Sequence, residues 1–291
     1  MKIALAQITS GSDKMENLRL VRAAVADAAE KGAQLVIFPE ATMQGFGTGR
    51  LDTGAETETG PFTTALCELV KQYRIGIVAG VFYIADQIQQ DGKAIQRVAN
   101  VALAVLPASK DAAEDVALVR YDKIHTFDAF GFKESATVCP GDQLVTFDYQ
   151  GICFGLATCY DVRFPELFRQ LAHQGAQVII LPASWGTGAG KQAQWELLTQ
   201  ARALDSGSYI LACDQASAQE ERTAGAPTGL GASAVINPWG RRIAHAGDDP
   251  ELVFADIDIV EVAAAREAIG VLAHAENYSA IAHHHYGKVS S

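Results

Sequence analysis

The chain has 291 residues, 49% of them hydrophobic and 20% charged, enough to bury a sizeable core as one large α/β domain. Its 34 acidic residues outnumber 23 basic ones for a formal net charge of -11, and no Lys/Arg stripe forms. That balance argues against nucleic acid and anionic membrane as partners. The apolar run from Met1 to Ile8 is cut off by Thr9, Ser10 and Gly11. It is too brief for a signal core or a membrane span and reads as a first strand. Asp13 and Glu16 form a capping-box pattern, Leu18, Val21, Val25 and Ala28 supply one apolar helix face, and Gly32 can end that helix. Leu35 to Phe38 is a buried strand that Pro39 ends, which leaves Glu40 at a strand end, where α/β folds place their chemistry.

Pro61 opens a helix through Lys71, followed by a strand from Ile75 to Val81, a polar turn from Asp86 to Lys93 and a strand from Val98 to Leu106. Val116 to Tyr121 is a further strand with Lys123 just past it. Ile152, Phe154 and Leu156 alternate as in a strand, and Pro165 starts a helix to Gln174, so Cys159 falls at the junction between them. Apolar Val178 to Leu181, a helix from Gln192 to Leu204 and strand Tyr209 to Cys213 come next. Strands around 232–236, 242–246 and 252–257 are separated by turns at Asn237-Pro238-Trp239-Gly240 and Gly247-Asp248-Asp249-Pro250. Alternating strands and helices predict a layered α/β protein.

A thiol at a helix N-terminus and beside cations loses its proton more easily, so Cys159 is expected to be poised to ionise. The plainer alternative is one more buried small apolar side chain. Cys67, Cys153 and Cys213 lie in apolar segments without metal-ligand spacing, and reduced thiols in a cytoplasmic setting are expected. Glu40, Lys123 and Cys159 each sit at a strand end and can converge in one pocket. Taken singly, Glu40 would read as a solvated loop carboxylate and Lys123 as an exposed lysine.

At these residues the chain resembles the nitrilase, or carbon-nitrogen hydrolase, superfamily, whose Glu-Lys-Cys triad maps onto Glu40, Lys123 and Cys159. The likeness continues through Phe132-Lys133-Glu134-Ser135, Pro140-Gly141-Asp142, Gln194-Trp195-Glu196-Leu197-Leu198, Ala201-Arg202-Ala203 and Asn237-Pro238-Trp239-Gly240, nearly the whole chain. Cys-Tyr-Asp-x-Arg-Phe-Pro-Glu is similar to the branch of omega-amidases and deaminated-glutathione amidases. True nitrilases carry Cys-Trp-Glu there, so Tyr160 argues against a nitrile substrate. The resemblance implies an αββα sandwich of two packed mixed sheets flanked by helices, as a single catalytic domain over 1–262. It implies a C-terminal helix and tail over 263–291 at a subunit interface of a homodimer or higher oligomer.

The resemblance further implies a cofactor-free amidase of small carboxylated amides. Glu40 would serve as base and later acid, Lys123 and the backbone N–H of Tyr160 as oxyanion donors, and Glu134 as the group that orients Lys123 and helps place water. Arg163 is a candidate to receive a substrate carboxylate; an ion pair with Glu166 or Asp161 is the competing assignment. Tyr160 and Trp185 are candidate pocket walls, Gly186 to Gly190 a pocket-edge turn, and Glu196 a structural hydrogen-bonding group. No metal site is expected: His283-His284-His285 lies in a polar tail without carboxylate or cysteine neighbours. His125 sits beside the lysine site, where a role at the pocket and one at the sheet edge are equally open. The loop Ala41 to Gly47 lacks the Tyr-rich pattern of omega-amidases, Ala232 stands where related enzymes often have His, and Ile269-Gly270-Val271 replaces a Pro-containing segment. These departures bear on substrate, leaving N-carbamoyl amino acid hydrolysis and a catalytically silent metabolite-binding subunit as alternatives.

Overall fold

The computed structural model describes residues 1–90, 92–108, 115–129, 133–217 and 226–274. The chain begins β1 (Lys2–Gln7), α1 (Lys14–Glu30), β2 (Leu35–Ile37), the short α2 (Leu51–Gly54), α3 (Pro61–Tyr73), β3 (Gly76–Gln90), β4 (Lys93–Pro107) and β5 (Val116–Asp122). It continues through β6 (Val138–Cys139), β7 (Thr146–Tyr149), β8 (Ile152–Leu156), α4 (Pro165–His173), β9 (Val178–Ala183), α5 (Lys191–Ser206) and β10 (Tyr209–Asp214). Then come β11 (Ala234–Ile236), β12 (Arg242–His245), β13 (Glu251–Asp256) and α6 (Ile259–Ile269). Among the described residues these strands form two mixed sheets. One runs β13-β1-β2-β3-β4-β5 with β6 beside β4; the other runs β12-β11-β10-β9-β8-β7. β1, β2 and β3 pair in parallel, as do β8, β9 and β10.

The two-residue period of a strand builds the layers. In β1, Ala4 and Ala6 face α1 and α3, where they meet Val21, Val25, Leu66 and Val70. Ile3 and Leu5 point the other way and pack with Phe154, Ile180 and Leu211 of the second sheet. On that sheet's far side Ile179 and Ile210 meet Phe168, Leu171 and Trp195 of α4 and α5. The order is therefore helix, sheet, sheet, helix, with each fully buried Leu- or Ile-sized side chain contributing about 1.5–3 kcal/mol.

Three details depart from the sequence reading. Asp13 caps α1 through the N–H groups of Met15 and Glu16, but the Glu16 side chain pairs with Arg19, so only half of the capping box forms. Strands β3 and β4 extend as a paired ribbon to Gln90 and Lys93, because Gln87, Ile88 and Gln89 find cross-strand partners where a polar turn was expected from Asp86 onward. The division expected at 262 falls inside α6, which Asp258 caps and which buries Val262 and Ala265. The His283-His284-His285 triplet and the tail from 275 lie outside the described residues.

Candidate active site

Glu40 follows β2 on a loop drawn tightly over β3. A Cβ at Gly80 would lie 2.7 Å from the Glu40 Cα and 2.5 Å from the Ala41 nitrogen, so only glycine allows this approach. The carboxylate is 1% exposed. It accepts hydrogen bonds from Asn100 Nδ2 at 2.7 Å, Lys123 Nζ at 3.0 Å and the Ser184 N–H at 2.9 Å. Lys123, the first residue past β5, also donates to both oxygens of Glu134, at 3.1 and 2.9 Å. Glu134 begins a short 3-10 turn, and its carboxylate further accepts from the Phe127 N–H at 2.6 Å.

Cys159 opens the 3-10 turn Cys159–Arg163, three residues beyond the end of β8, with φ at +47°. A non-glycine residue in this region is strained by about 1–3 kcal/mol and needs its surroundings to hold it. Buried Asp161 supplies that hold: its carboxylate accepts from the Thr158 N–H at 2.8 Å, the Tyr121 hydroxyl at 2.7 Å and the His125 N–H at 3.1 Å. His125 Nδ1 lies 2.7 Å from the same carboxylate, and its ring stacks on Phe164 with centroids 3.5 Å apart. Asp161 thereby fastens the cysteine turn to the end of β5, where Lys123 sits. His125 belongs to this fastening.

The electrostatics correct one expectation. Burial pushes the Cys159 thiol well above its usual range and the Glu40 carboxylate adds to the push, which Lys123 only partly opposes. Cys159 Sγ donates toward the Ser184 carbonyl at 3.7 Å, and its burial works against the easy ionisation expected from the sequence. Burial also raises the Glu40 pKa, with Glu134 adding to the rise and Lys123 opposing it. For Lys123 burial works against the charge, but Glu134 and Glu40 outweigh it and keep the ammonium charged well past its usual range.

These groups line a cavity of about 350 Å3. All seven residues singled out from sequence line it: buried Glu40, Lys123, Glu134 and Cys159 make its floor, and Tyr160 and Arg163, both half-buried, stand with Trp185 on its wall. Arg163 Nη2 donates to Gln194 Oε1 at 2.7 Å, and the guanidinium lies 5.1 Å from the Trp185 ring centroid. Neither expected ion pair forms, since the Asp161 carboxylate is taken up by Thr158, Tyr121 and His125. Glu196 bonds to Gln192 and pairs with Arg242, a structural arrangement as expected. Gly186 and Thr187 edge the cavity.

Sequence reasoning missed Asn100, Phe127, Phe46 and Lys191. Asn100 donates to both Glu40 and Glu134, the latter at 3.2 Å. A lone amide in the apolar stretch Val98 to Leu106 was its available signal, since a buried polar side chain in a strand needs a partner. Buried Asp214 positions Trp185: it accepts from the Trp185 and Leu230 N–H groups at 2.7 and 3.0 Å, and burial pushes its pKa to about 8. Among the described residues no group of three or more His, Cys, Asp or Glu side chains is placed to hold a metal, and no helix is long and apolar enough to cross a membrane.

The carbon-nitrogen hydrolase family matches residues 2–267. Hydrolase Rv0480c of Mycobacterium tuberculosis is 45% identical over 94% of each chain. Omega-amidase NIT2 of Bos taurus is 32% identical over 93% of each. Among solved structures, Nit3 of Saccharomyces cerevisiae, a member of branch 10 of the nitrilase superfamily, superposes with a TM-score of 0.76 at 27% identity, covering 92% of this chain and 94% of that one. An amidase of Nesterenkonia sp. AN1 superposes with a TM-score of 0.70 at 25% identity over 92% and 94%; a variant of it carries the acetamide moiety of fluoroacetamide on its active-site cysteine. The αββα sandwich is thus the nitrilase fold, and the chain belongs to the carbon-nitrogen hydrolase superfamily as an amidase-type hydrolase similar to the omega-amidases.

Proposed function

We propose that the protein hydrolyses the carbon–nitrogen bond of a small carboxylated amide, such as the omega-amide of an α-keto acid or deaminated glutathione, through a thioester on Cys159. The observation that carries this reading is the buried Glu40–Lys123–Glu134 cluster at the floor of a cavity that also holds Cys159 and, on its wall, Arg163. Burial favours the thiol over the thiolate at Cys159, so in this reading its proton moves as the bond forms. Cys159 Sγ attacks the amide carbon while Glu40 takes the thiol proton. The negative oxygen of the tetrahedral species receives the Lys123 ammonium and the Tyr160 N–H. Glu40 returns the proton to the nitrogen, the C–N bond breaks, and ammonia or amine departs. Water then gives a proton to Glu40 and adds to the thioester; Glu40 passes that proton to Sγ as the C–S bond breaks, so the acid leaves and the thiol is restored. Glu134 holds Lys123 in place and helps position that water. Catalysis needs Glu40 ionised at the start, so kcat/KM falls as pH drops through its raised pKa.

Ammonia release from a panel of amides tests the reading. Carboxylated amides should be turned over well ahead of neutral amides and N-carbamoyl amino acids; a preference for the carbamoyl compounds, or no release from any amide, would overturn it. Arg163→Lys should raise KM for carboxylated amides roughly ten- to a hundredfold, the effect of losing a forked, charge-assisted contact of about 1.5–3 kcal/mol. Kinetics on one carboxylated and one neutral amide, with a thermal melt alongside, check this. An equal loss on both with a lowered melt would assign Arg163 to structure.

A further inference from the structure

The wall of the cavity holds a second cation that the proposed chemistry leaves without a task. Lys191, the first residue of α5, lines the same cavity as Cys159 and Arg163. Its ammonium lies 5.8 Å from the Trp185 ring centroid and 5.8 Å from that of Phe127. The Arg163 guanidinium lies 5.1 Å from the same indole and 5.9 Å from the Tyr160 ring. Phe127 and Tyr160 meet edge to face at 5.1 Å. Trp185, Arg163, Tyr160, Phe127 and Lys191 therefore close into a collar of contacts that carries two cations.

Two like charges in one small cavity repel. The Lys191 pKa is lowered, first by burial and then by Arg163. The ring faces offset part of this. A neutral occupant would leave the repulsion in place and remove water that screens it, whereas an anion between the cations relieves it. The floor has the opposite character, with the Glu40 and Glu134 carboxylates gathered on the Lys123 ammonium. An anionic group is thus disfavoured at the floor and favoured at the collar. The charge pattern orients the substrate with its amide inward and its carboxylate outward.

We propose that Lys191 is a second specificity-determining residue, which with Arg163 grips the carboxylate at the end of the substrate opposite its amide. This rests on the amidase reading above and adds to it the residue and the substrate polarity. The substrate class is amides whose carboxylate and amide occupy opposite ends of a short chain.

Two measurements test it, one of which needs no turnover. In the first, Lys191→Met should lower kcat/KM for a terminal carboxylated amide about tenfold or more beyond any loss on the uncharged amide of equal length, mainly through KM, and Lys191→Arg should keep most of the discrimination. In the second, calorimetric titration of glutaramate, the half-amide of glutarate, into Cys159→Ala protein should give binding that weakens with salt, and Cys159→Ala/Lys191→Met should bind glutaramate about tenfold or more weakly. Equal kinetic losses on charged and uncharged amides, or glutaramate binding that is absent or unchanged by Lys191→Met, would overturn the assignment. If the wild-type protein hydrolyses no amide, the amidase reading fails on its own, and glutaramate binding still decides the role of Lys191.

Discussion

Replacing Cys159 with alanine should abolish turnover, by at least about 10^4-fold, while leaving a folded protein. The magnitude follows from the role: with the nucleophile gone no acyl intermediate forms, and what remains is the small acceleration of a binding site with an oxyanion donor. The folding expectation follows from size and surroundings. One sulfur atom is removed from a 7% exposed position, a deletion on the scale of Ile→Val, which costs about 0.5–1.5 kcal/mol. Asp161, which holds the turn at its positive φ, is untouched. Ammonia release and a thermal melt check both halves. Retained activity in the folded variant would remove Cys159 from the mechanism. The burial of Cys159 adds a corollary: general thiol reagents should label it slowly near neutral pH, because burial withholds access and works against ionisation.

Lys123→Met should be the most damaging substitution to activity and stability together. It removes an oxyanion donor, worth about 2.7–4 kcal/mol of barrier, and strands two buried carboxylates that share its ammonium. Removing one partner from a buried ion pair typically destabilises by about 3–5 kcal/mol. The pH dependence has a definite sign. Glu40 already titrates above 4.5, chiefly through burial, and loses its main opposing influence with Lys123. A carboxyl whose folded pKa is raised favours the folded state below its unfolded pKa, and that advantage is lost as pH climbs through the raised value. The variant should therefore melt higher at pH 5 than at pH 8, more steeply than the wild type. In the wild type the raised Lys123 pKa keeps the cluster's cation in place throughout this range. Lys123→Met/Glu134→Gln should recover much of the lost stability and none of the activity. Melts that are flat with pH, or activity restored in the double variant, would contradict the shared buried cluster.

Much of this arrangement was legible from local chemistry. Leu35 to Phe38 and Val178 to Leu181 are apolar without alternation because both faces of their strands are covered, and Pro61 and Pro165 mark helix starts through their fixed φ. Glu40, Lys123 and Cys159 were readable as chain positions next to strand ends. Their convergence required the family pattern, since strand order is a long-range property. What stayed hidden was set by partners distant in sequence. Asn100 reads as an oddity in β4 until Glu40 and Glu134 arrive, 60 and 34 residues away. The upward push on the Cys159 thiol is hidden for the same reason: neighbouring cations are visible in sequence and the depth of burial is not. Lys191 follows directly on the Gly186 to Gly190 turn in sequence, and only the fold brings it to the indole that Arg163 also covers.

If every substrate passes through one acyl-thioester on Cys159, as proposed, partitioning between water and hydroxylamine reveals it. The primary amide and the N-methyl amide of the same carboxylated acid would be hydrolysed with hydroxylamine present, and acid and hydroxamate products measured. A common thioester has lost its leaving group before water or hydroxylamine attacks, so both substrates should give the same hydroxamate-to-acid ratio, with neither product from Cys159→Ala. The absence of hydroxamate, or a ratio that changes with the leaving group, would contradict the account.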